Sequence, residues 1–375
     1  MIYKDIRDYI YSLMTGRDKS GLVALFLKFI LFLASLLYIL GINIIFILRR
    51  WGLLRTVRLD TKVISIGNLT LGGTGKTPLV ELVAQILSEK GNKVAVLTRG
   101  YKVPYSEIEA ESTEEDQPFV EEVPDEAALL RRNMPKAIVL VGPDRRETGR
   151  MAISIHSANI LVLDDGFQCW GLSRDIDIVV ISATNPFGNG RLLPRGILRE
   201  FPSTLVRANI IVITKIDAAT PKQVNEIKNK AGSINPDALI VSSVHKPVRL
   251  TNIITSVTLP LDWIKGKEFC AICGIGDPDY FKKVLGDLGA IIKADFIFED
   301  HHPYVFKDIE AVLNKCKDAG VDNIITTEKD MMRLKPLLIK HSVVLGNFQI
   351  QFLALGIQLE LIENRDKFIE HLLTN

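Results

Sequence analysis

The residues most suited to chemistry stand at Gly72-Gly73-Thr74-Gly75-Lys76-Thr77. They follow the apolar run Val63–Ile66 and precede a stretch with Leu79, Val80, Leu82, Val83, Ile86 and Leu87 at helical spacing. Strand, glycine-rich turn and helix in that order make a phosphate cradle. Glycines let backbone N–H groups approach phosphate oxygens, and the helix N-terminus favours negative charge. Residues Thr70, Leu71, Gly72, Gly73, Thr74, Gly75, Lys76 and Thr77 are therefore the expected nucleotide-phosphate loop, an ATP site by this reading. Lys76 reaches the outer phosphates, and the Thr77 hydroxyl holds Mg²⁺. Pro78 is harmless near the first helical position, where its missing N–H has no partner anyway. The general motif opens with glycine where this chain has Thr70. A glycine-rich turn that binds nothing is the plain alternative.

A second set of candidates lies further along. The apolar run Asn159–Leu163 ends in Asp164-Asp165, as expected for a strand beside the phosphate loop whose carboxylates face the metal. Asp300-His301-His302 could supply a histidine poised near neutrality for acid–base work, although such a turn is more often a surface feature. Asp125-Glu126 is a weaker signal of the same kind. The glycine- and proline-rich run Asn185–Glu200 carries Arg191, Arg195 and Arg199, which suit an anionic substrate, lipid headgroups or water. Thr214-Lys215-Ile216-Asp217 imitates the guanine-reading signature of GTPases, with Thr in place of the usual Asn.

Elements must bring these groups together. Strand-like and helical patterns alternate from residue 59 onward, which predicts an α/β fold. The expected architecture is a P-loop-type, mainly parallel sheet flanked by helices, with a second smaller α/β lobe and an N-terminal membrane helix. Expected strands are Lys62–Ile66, Val94–Leu97, Ala137–Val141, Ile160–Leu163, Ile176–Ser182, Ile210–Thr214 and Leu239–Val244. A second group is Glu268–Cys273, Ile291–Phe298 and Asn323–Thr327, with Ile357–Leu361 pairing back onto Val248–Leu250. Phe306–Ala319 reads as a helix closed by Gly320. The expected division is 1–58 membrane-associated, 59–242 nucleotide-binding, and 243–375 second lobe, with a linker flanked by Pro247 and Pro260.

Phe29–Leu48 is apolar except for Ser35 and Asn43, and Arg49, Arg50, Arg55 and Arg58 come directly after it. Twenty helical residues match the hydrocarbon thickness, and the arginines favour a cytoplasmic location for the chain beyond residue 48. A buried core helix is the alternative. The chain of 375 residues has a formal net charge of +2, too balanced for a polyanion binder, and nothing points to a nucleic acid or an obligate protein partner. Cys270 and Cys273 form a C-x-x-C, but with no second pair to complete a zinc site; Cys169 and Cys316 stand alone. Four such thiols fit a reducing compartment. The acidic stretch Glu107–Glu122 reads as a solvated loop.

Taken together the motifs resemble the tetraacyldisaccharide 4′-kinases of lipid A synthesis. The resemblance rests on Ile66–Pro78, Thr98–Tyr101, Asp164–Gln168, Asn185–Pro194, Leu198–Glu200, Thr214-Lys215 and Asp217, Gly274–Gly276, Asp300–His302 and Thr327–Asp330. Thr70 resembles that family's own version of the loop. The resemblance implies an enzyme of the inner leaflet that moves the γ-phosphate of ATP to the 4′-hydroxyl of an acylated glucosamine disaccharide 1-phosphate. It implies two α/β/α lobes joined by a two-stranded ribbon. It also implies roles: Lys76 and Thr77 as phosphate-loop Lys and Mg²⁺ ligand, Asp164 and Asp165 as metal-side carboxylates, and Asp125 as base paired with His301 from the other lobe. Lobe closure would bring that pair together. Pro124 and Ala127 depart from the family's flanking Gly and Pro, Cys169 stands in place of a His, and Glu299 in place of a frequent Pro. A phosphate-loop GTPase or metal-insertion chaperone and a membrane-tethered nucleotide sensor are the competing readings.

Overall fold

The computed structural model describes residues 2–15, 21–100, 124–342 and 350–374. Tyr101 and the acidic stretch Glu107–Glu122 lie outside the described residues.

Two helices open the chain, α1 (Ile2–Thr15) and α2 (Leu22–Arg50). A parallel α/β unit comes next, with β1 (Lys62–Asn68), α3 (Lys76–Glu89), β2 (Val94–Thr98), α4 (Asp125–Asn133), β3 (Ile138–Val141), α5 (Arg145–Ser154), β4 (Ile160–Asp164), β5 (Ile176–Ser182), β6 (Ile210–Thr214) and α6 (Pro221–Ile234). Its strands are apolar and buried on both faces, because helices cover both sides of a parallel sheet. α3 buries Leu79, Val80, Val83, Ala84 and Leu87 against that sheet.

The second group comprises β7 (Leu239–Asn252), β8 (Thr258–Leu259), β9 (Glu268–Cys273), α7 (Pro278–Asp287), β10 (Ile291–Ile297), α8 (Phe306–Ala319), β11 (Asn323–Thr327), α9 (Glu328–Lys340), β12 (Gln351–Leu361) and α10 (Arg365–Thr374). Gly320, at φ 65°, closes α8 in the left-handed conformation that glycine adopts without strain. The described strands join one sheet in the order β10-β9-β11-β12-β7-β6-β5-β1-β4-β2-β3, with β8 beside β7.

β7 carries the sheet from one group to the other. Its start runs parallel to β6, ending at Ser242 opposite Ile213. From Ser243 onward it pairs antiparallel with β12. Pro247 is not the edge of a linker but an interior residue of β7. It is tolerated because the register slips beside it, between Gly356 and Ile357 of β12, and a bulge relieves the lost N–H. The return strand is longer than Ile357–Leu361, and that segment pairs with Ser243–Pro247 instead of Val248–Leu250; its first half, Gln351–Leu355, runs parallel to β11. α10, expected within the second lobe, packs Phe368 and Leu372 into the first group's core, and Lys62 Nζ donates to Leu372 O at 2.6 Å.

Cys270 and Cys273 are both buried in β9 and belong to different core clusters on the two sides of the sheet. A spacing of three on a strand sends the two thiols to opposite faces, which excludes a shared metal or disulfide there.

α2 is long and apolar enough to cross a bilayer, yet one side of it is docked on protein. Ser35 Oγ donates to Leu192 O at 3.1 Å and accepts from Arg195 N at 3.0 Å. Tyr38 donates to Arg199 O at 3.0 Å, and the Phe46 ring meets Trp170 at 4.9 Å between centroids. The opposite side exposes Phe26, Phe29, Leu33, Leu37, Leu40 and Ile47.

Candidate active site

β1 and β4 are neighbours, with Ile66 opposite Asp164, so the glycine-rich loop and the two carboxylates leave the sheet side by side. Ligands of such sheets bind beyond the carboxyl ends of the strands, where both sit. The loop is braced from three directions. Leu71 N donates to Ile197 O at 2.8 Å and Arg199 N to Leu69 O at 2.7 Å, so Thr70 sits in an extended bridge with Leu198. That explains a threonine where the general motif has glycine: the backbone here is not left-handed. It also takes the Leu71 N–H away from phosphate. Asn68 Nδ2 donates to Thr70 O (2.7 Å) and Thr74 Oγ1 (3.0 Å), tying the loop to itself. Thr214 Oγ1 donates to Thr74 O at 2.7 Å, and Lys215 Nζ to Gly73 O at 2.6 Å.

Gly75 begins α3 with φ 90°, and a Cβ there would lie 2.6 Å from His245 Nε2. His245 is fully buried on β7, and burial pushes its pKa down to about 3, so the ring is neutral against the loop. Gly276 meets the loop from the second group; a Cβ on it would lie 2.3 Å from Gly73 N.

Lys76 Nζ stands 3.0 Å from Asn68 Oδ1 and 3.2 Å from Asp165 Oδ1. Arg199 Nη1 grips Asp165 at 2.7 and 2.9 Å. Burial alone would raise Asp165, but the Lys76 and Arg199 charges overcome it and hold its pKa down to about 2. Asp164 behaves in the opposite sense. It is buried, accepts from Thr98 Oγ1 at 3.2 Å, and burial followed by the nearby Glu126 charge pushes it up to about 6. The two carboxylates thus have different work: Asp165 is committed to cations of the protein, while Asp164 lacks a full counter-charge. Thr77 is the second residue of α3. Gln168 links this group to Glu200, donating at 3.0 Å, and Arg207 Nη2 donates to Glu200 at 2.7 Å.

The third cluster joins residues far apart in the chain. Asp125 opens α4, and His301 lies just after β10 in a left-handed conformation, φ 61°, which a non-glycine side chain adopts at a cost. His301 Nδ1 lies 3.7 Å from Asp125 Oδ2, an ion-pair distance too long for a hydrogen bond. Lys329 Nζ lies 3.0 Å from His301 Nε2 and 3.1 Å from Glu126 Oε1, and Arg333 Nε lies 3.3 Å from Asp125 Oδ2. Asp125 is held below the usual carboxylate range by His301, Arg333 and Lys329 despite burial, and His301 is raised chiefly by Asp125. The pair already lies within ion-pair distance across the two strand groups.

A latch beside it fixes the two strand groups. Arg249 of β7 forks onto Glu328 of α9 at 2.6 and 2.9 Å and donates to Asn133 of α4 at 2.6 Å, and Asn133 donates to Glu81 of α3 at 3.0 Å. Planar bidentate pairing of this kind fixes geometry as well as adding attraction.

The guanine-reading imitation is occupied. Asp217 accepts from Tyr280 OH at 3.0 and 3.2 Å and from Lys283 Nζ at 3.1 Å, both on α7. Asn68, Gln168, His245, Lys329 and Arg333 were not assigned roles by motif, and Arg199, expected to suit an anionic partner, meets Asp165 of the protein itself. The four-residue spacing of Lys329 and Arg333 puts two cations on one helix face, but nothing in it points to Asp125 or His301 as their partners.

The pattern of the Tetraacyldisaccharide-1-P 4′-kinase family matches residues 27–375. A tetraacyldisaccharide 4′-kinase of Halothermothrix orenii is 35% identical, covering 96% of this chain and 95% of that one. Its counterpart from Anaeromyxobacter dehalogenans is 40% identical over 76% of each. The crystal structure of LpxK from Aquifex aeolicus in complex with ATP is 28% identical with a TM-score of 0.64, covering 92% of this chain and 99% of that one.

Proposed function

The chain belongs to the tetraacyldisaccharide-1-phosphate 4′-kinase family, and from that membership we propose how its residues divide the reaction. It is a lipid A 4′-kinase: the γ-phosphate of ATP passes to the 4′-hydroxyl of a tetraacylated glucosamine disaccharide 1-phosphate. The observation that carries the division of labour is the meeting of Asp125 and His301 beside the loop that holds Lys76.

The backbone of Gly72–Thr77 and the Lys76 ammonium receive the phosphates, and Lys76 moves from Asp165 to the transferred group, where charge spreads over the equatorial oxygens. Arg199 keeps Asp165 in place as it does so. Asp125, ionised through the working range, accepts the proton of the 4′-hydroxyl as the new O–P bond forms and the bond from the γ-phosphorus to the β-phosphate oxygen breaks, releasing ADP. His301 orients Asp125, and Lys329 and Arg333 hold both. The residues fit a magnesium ion. Thr77 and Asp164 offer oxygen donors on adjoining elements. That suits an ion completed by phosphate and water. When bound, it neutralises phosphate charge. Asp165, spoken for by Lys76 and Arg199, is a positioning residue in this scheme.

Nucleotide choice turns on Asp217. A guanine-reading carboxylate must accept two N–H groups of the base, and Tyr280 and Lys283 already fill it. ATP is therefore the expected donor, with GTP poor. The double variant Tyr280→Phe/Lys283→Ala should raise the GTP-to-ATP ratio of kcat/KM by about tenfold, as expected for a freed bidentate contact. A coupled ADP- and GDP-release assay checks this, and a wild-type protein that prefers GTP would sink the kinase reading.

We infer that α2 lies along the cytoplasmic leaflet of the inner membrane and does not span it. Its docked part, Ser35 to Arg49, is about 21 Å long, and the segment before it about 20 Å, short of the roughly 30 Å of hydrocarbon. Exposed apolar side chains along its outer face meet acyl chains. The helix also supports the site, because Tyr38 holds the Arg199 carbonyl. Tyr38→Phe should stay in the membrane fraction yet lose about fivefold in turnover, the worth of one net hydrogen bond. Deletion of residues 1–48 should release the protein and also lower turnover on detergent-dispersed substrate. Full turnover by that truncation would leave α2 as a tether alone.

A further inference from the structure

We propose that the cavity at the C-terminal end of α2 binds the phosphate of an anionic phosphoglyceride drawn from the bilayer. The cavity measures about 330 Å³ and is lined by Phe46, Arg49, Thr56, Trp170, Arg174 and Arg207 among others. That volume accommodates a phosphoglycerol headgroup.

Three buried atoms point to a missing partner. Arg49 Nε, Trp170 Nε1 and Arg207 Nε find no acceptor among the described residues. All three are N–H donors, and an unmade hydrogen bond at a buried donor is costly, so the absent group is an acceptor. The charges agree. Arg174 and Arg207 are balanced through other nitrogens, by Asp177 at 2.9 Å and Glu200 at 2.7 Å. Arg49 donates only to the Thr56 hydroxyl, at 3.2 Å, and no carboxylate pairs with it among the described residues. Phosphate oxygens suit a cavity lined by these donor side chains and one uncompensated guanidinium.

Position selects the bilayer as the source. The exposed apolar face of α2 extends to Ile47, and Arg49 stands within a turn of it, so the cavity opens at headgroup level. Thr56 and Arg174 precede β1 and β5, whereas the phosphate loop leaves the opposite end of β1. The substrate's own 1-phosphate carries the same chemistry, because Arg207 joins the phosphate-loop side through Glu200 and Gln168, and the experiment below separates the two sources.

The proposal rests on the reading that α2 faces lipid, and a monomeric lipid in solution tests the cavity without a membrane. Dihexanoyl phosphatidylglycerol, kept below its micelle concentration, is titrated into the full-length protein and followed by calorimetry. Saturable binding is expected, weakened at least about tenfold by Arg49→Gln and by Trp170→Phe. The second variant keeps an aromatic ring against Phe46 while removing the N–H together with part of the indole, so it should fold. Dihexanoylglycerol, without phosphate, should not bind, and KM for the disaccharide 1-phosphate should be unchanged in both variants. Equal binding of dihexanoylglycerol, or undiminished binding in both variants, overturns the site. A raised KM that disappears with the 1-dephosphorylated disaccharide overturns it too, by assigning the cavity to substrate. Failure of vesicle flotation with lipid binding intact would instead count against the placement of α2.

Discussion

Lys76→Ala is expected to lower phosphoryl transfer by about 10³-fold, the upper range for removing one preorganised donor from developing oxyanion charge. Two losses combine. The transferred phosphate loses its closest protein cation, and Asp165 loses one of the two cations that hold its pKa down to about 2. The second loss has its own signature. A carboxylate whose folded pKa is depressed contributes stability that is present above its ordinary value near 4 and fades as pH falls toward 2. The stability gap between wild type and Lys76→Ala should therefore be open at neutral pH and close across that window. Denaturant titrations at several pH values measure the gap, and ADP release measures turnover. Lys76→Arg should restore stability better than turnover, since a planar fork does not reproduce a compact ammonium in a tight loop. Turnover of Lys76→Ala within tenfold of wild type would remove Lys76 from the chemistry.

Asp125→Asn is expected to lower kcat by about 10³-fold, within the usual worth of a positioned general base, with KM for ATP nearly unchanged. The isosteric amide keeps a partner for Arg333 but cannot take a proton. His301→Gln should cost less, about tenfold, because His301 acts on Asp125 and not on the hydroxyl. It should also change the pH profile. His301 is raised above its ordinary value by Asp125, and Asp125 is lowered by His301, Arg333 and Lys329. Their mutual attraction is complete between roughly pH 4 and 6.5 and is lost as pH rises through the raised His301 value. Wild-type turnover should carry an alkaline step that His301→Gln lacks. The same step surviving in that variant would assign it to another group.

Much of this architecture was legible. The run Val63–Ile66, the glycines and the Lys-Thr pair specify strand, turn and helix through local rules, and the structure places them so. Asp164 beside that strand was equally readable, because a strand ending in carboxylates has few other places in a parallel sheet. Thr70 departs from the general motif, and its reason is tertiary: a bridge to Leu198, far along the chain, keeps it extended. Contacts of that range leave no periodic trace. The same holds for Asp165, expected beside the metal and found gripped by Arg199, and for Lys329 and Arg333 around Asp125. The proline-flanked linker failed because a bulge admits Pro247 into a long strand. Asp217 looked like a base reader because the motif shows spacing, and only the fold shows that Tyr280 covers it.

The most direct test of the account gives purified, detergent-solubilised protein ATP, Mg²⁺ and tetraacyl disaccharide 1-phosphate, and reads the product by mass spectrometry. Wild type should add one phosphate at the 4′ position, and Asp125→Asn, folded and still binding ATP, should add almost none. No transfer by wild type with nucleotide binding intact, or wild-type transfer by Asp125→Asn, would contradict it.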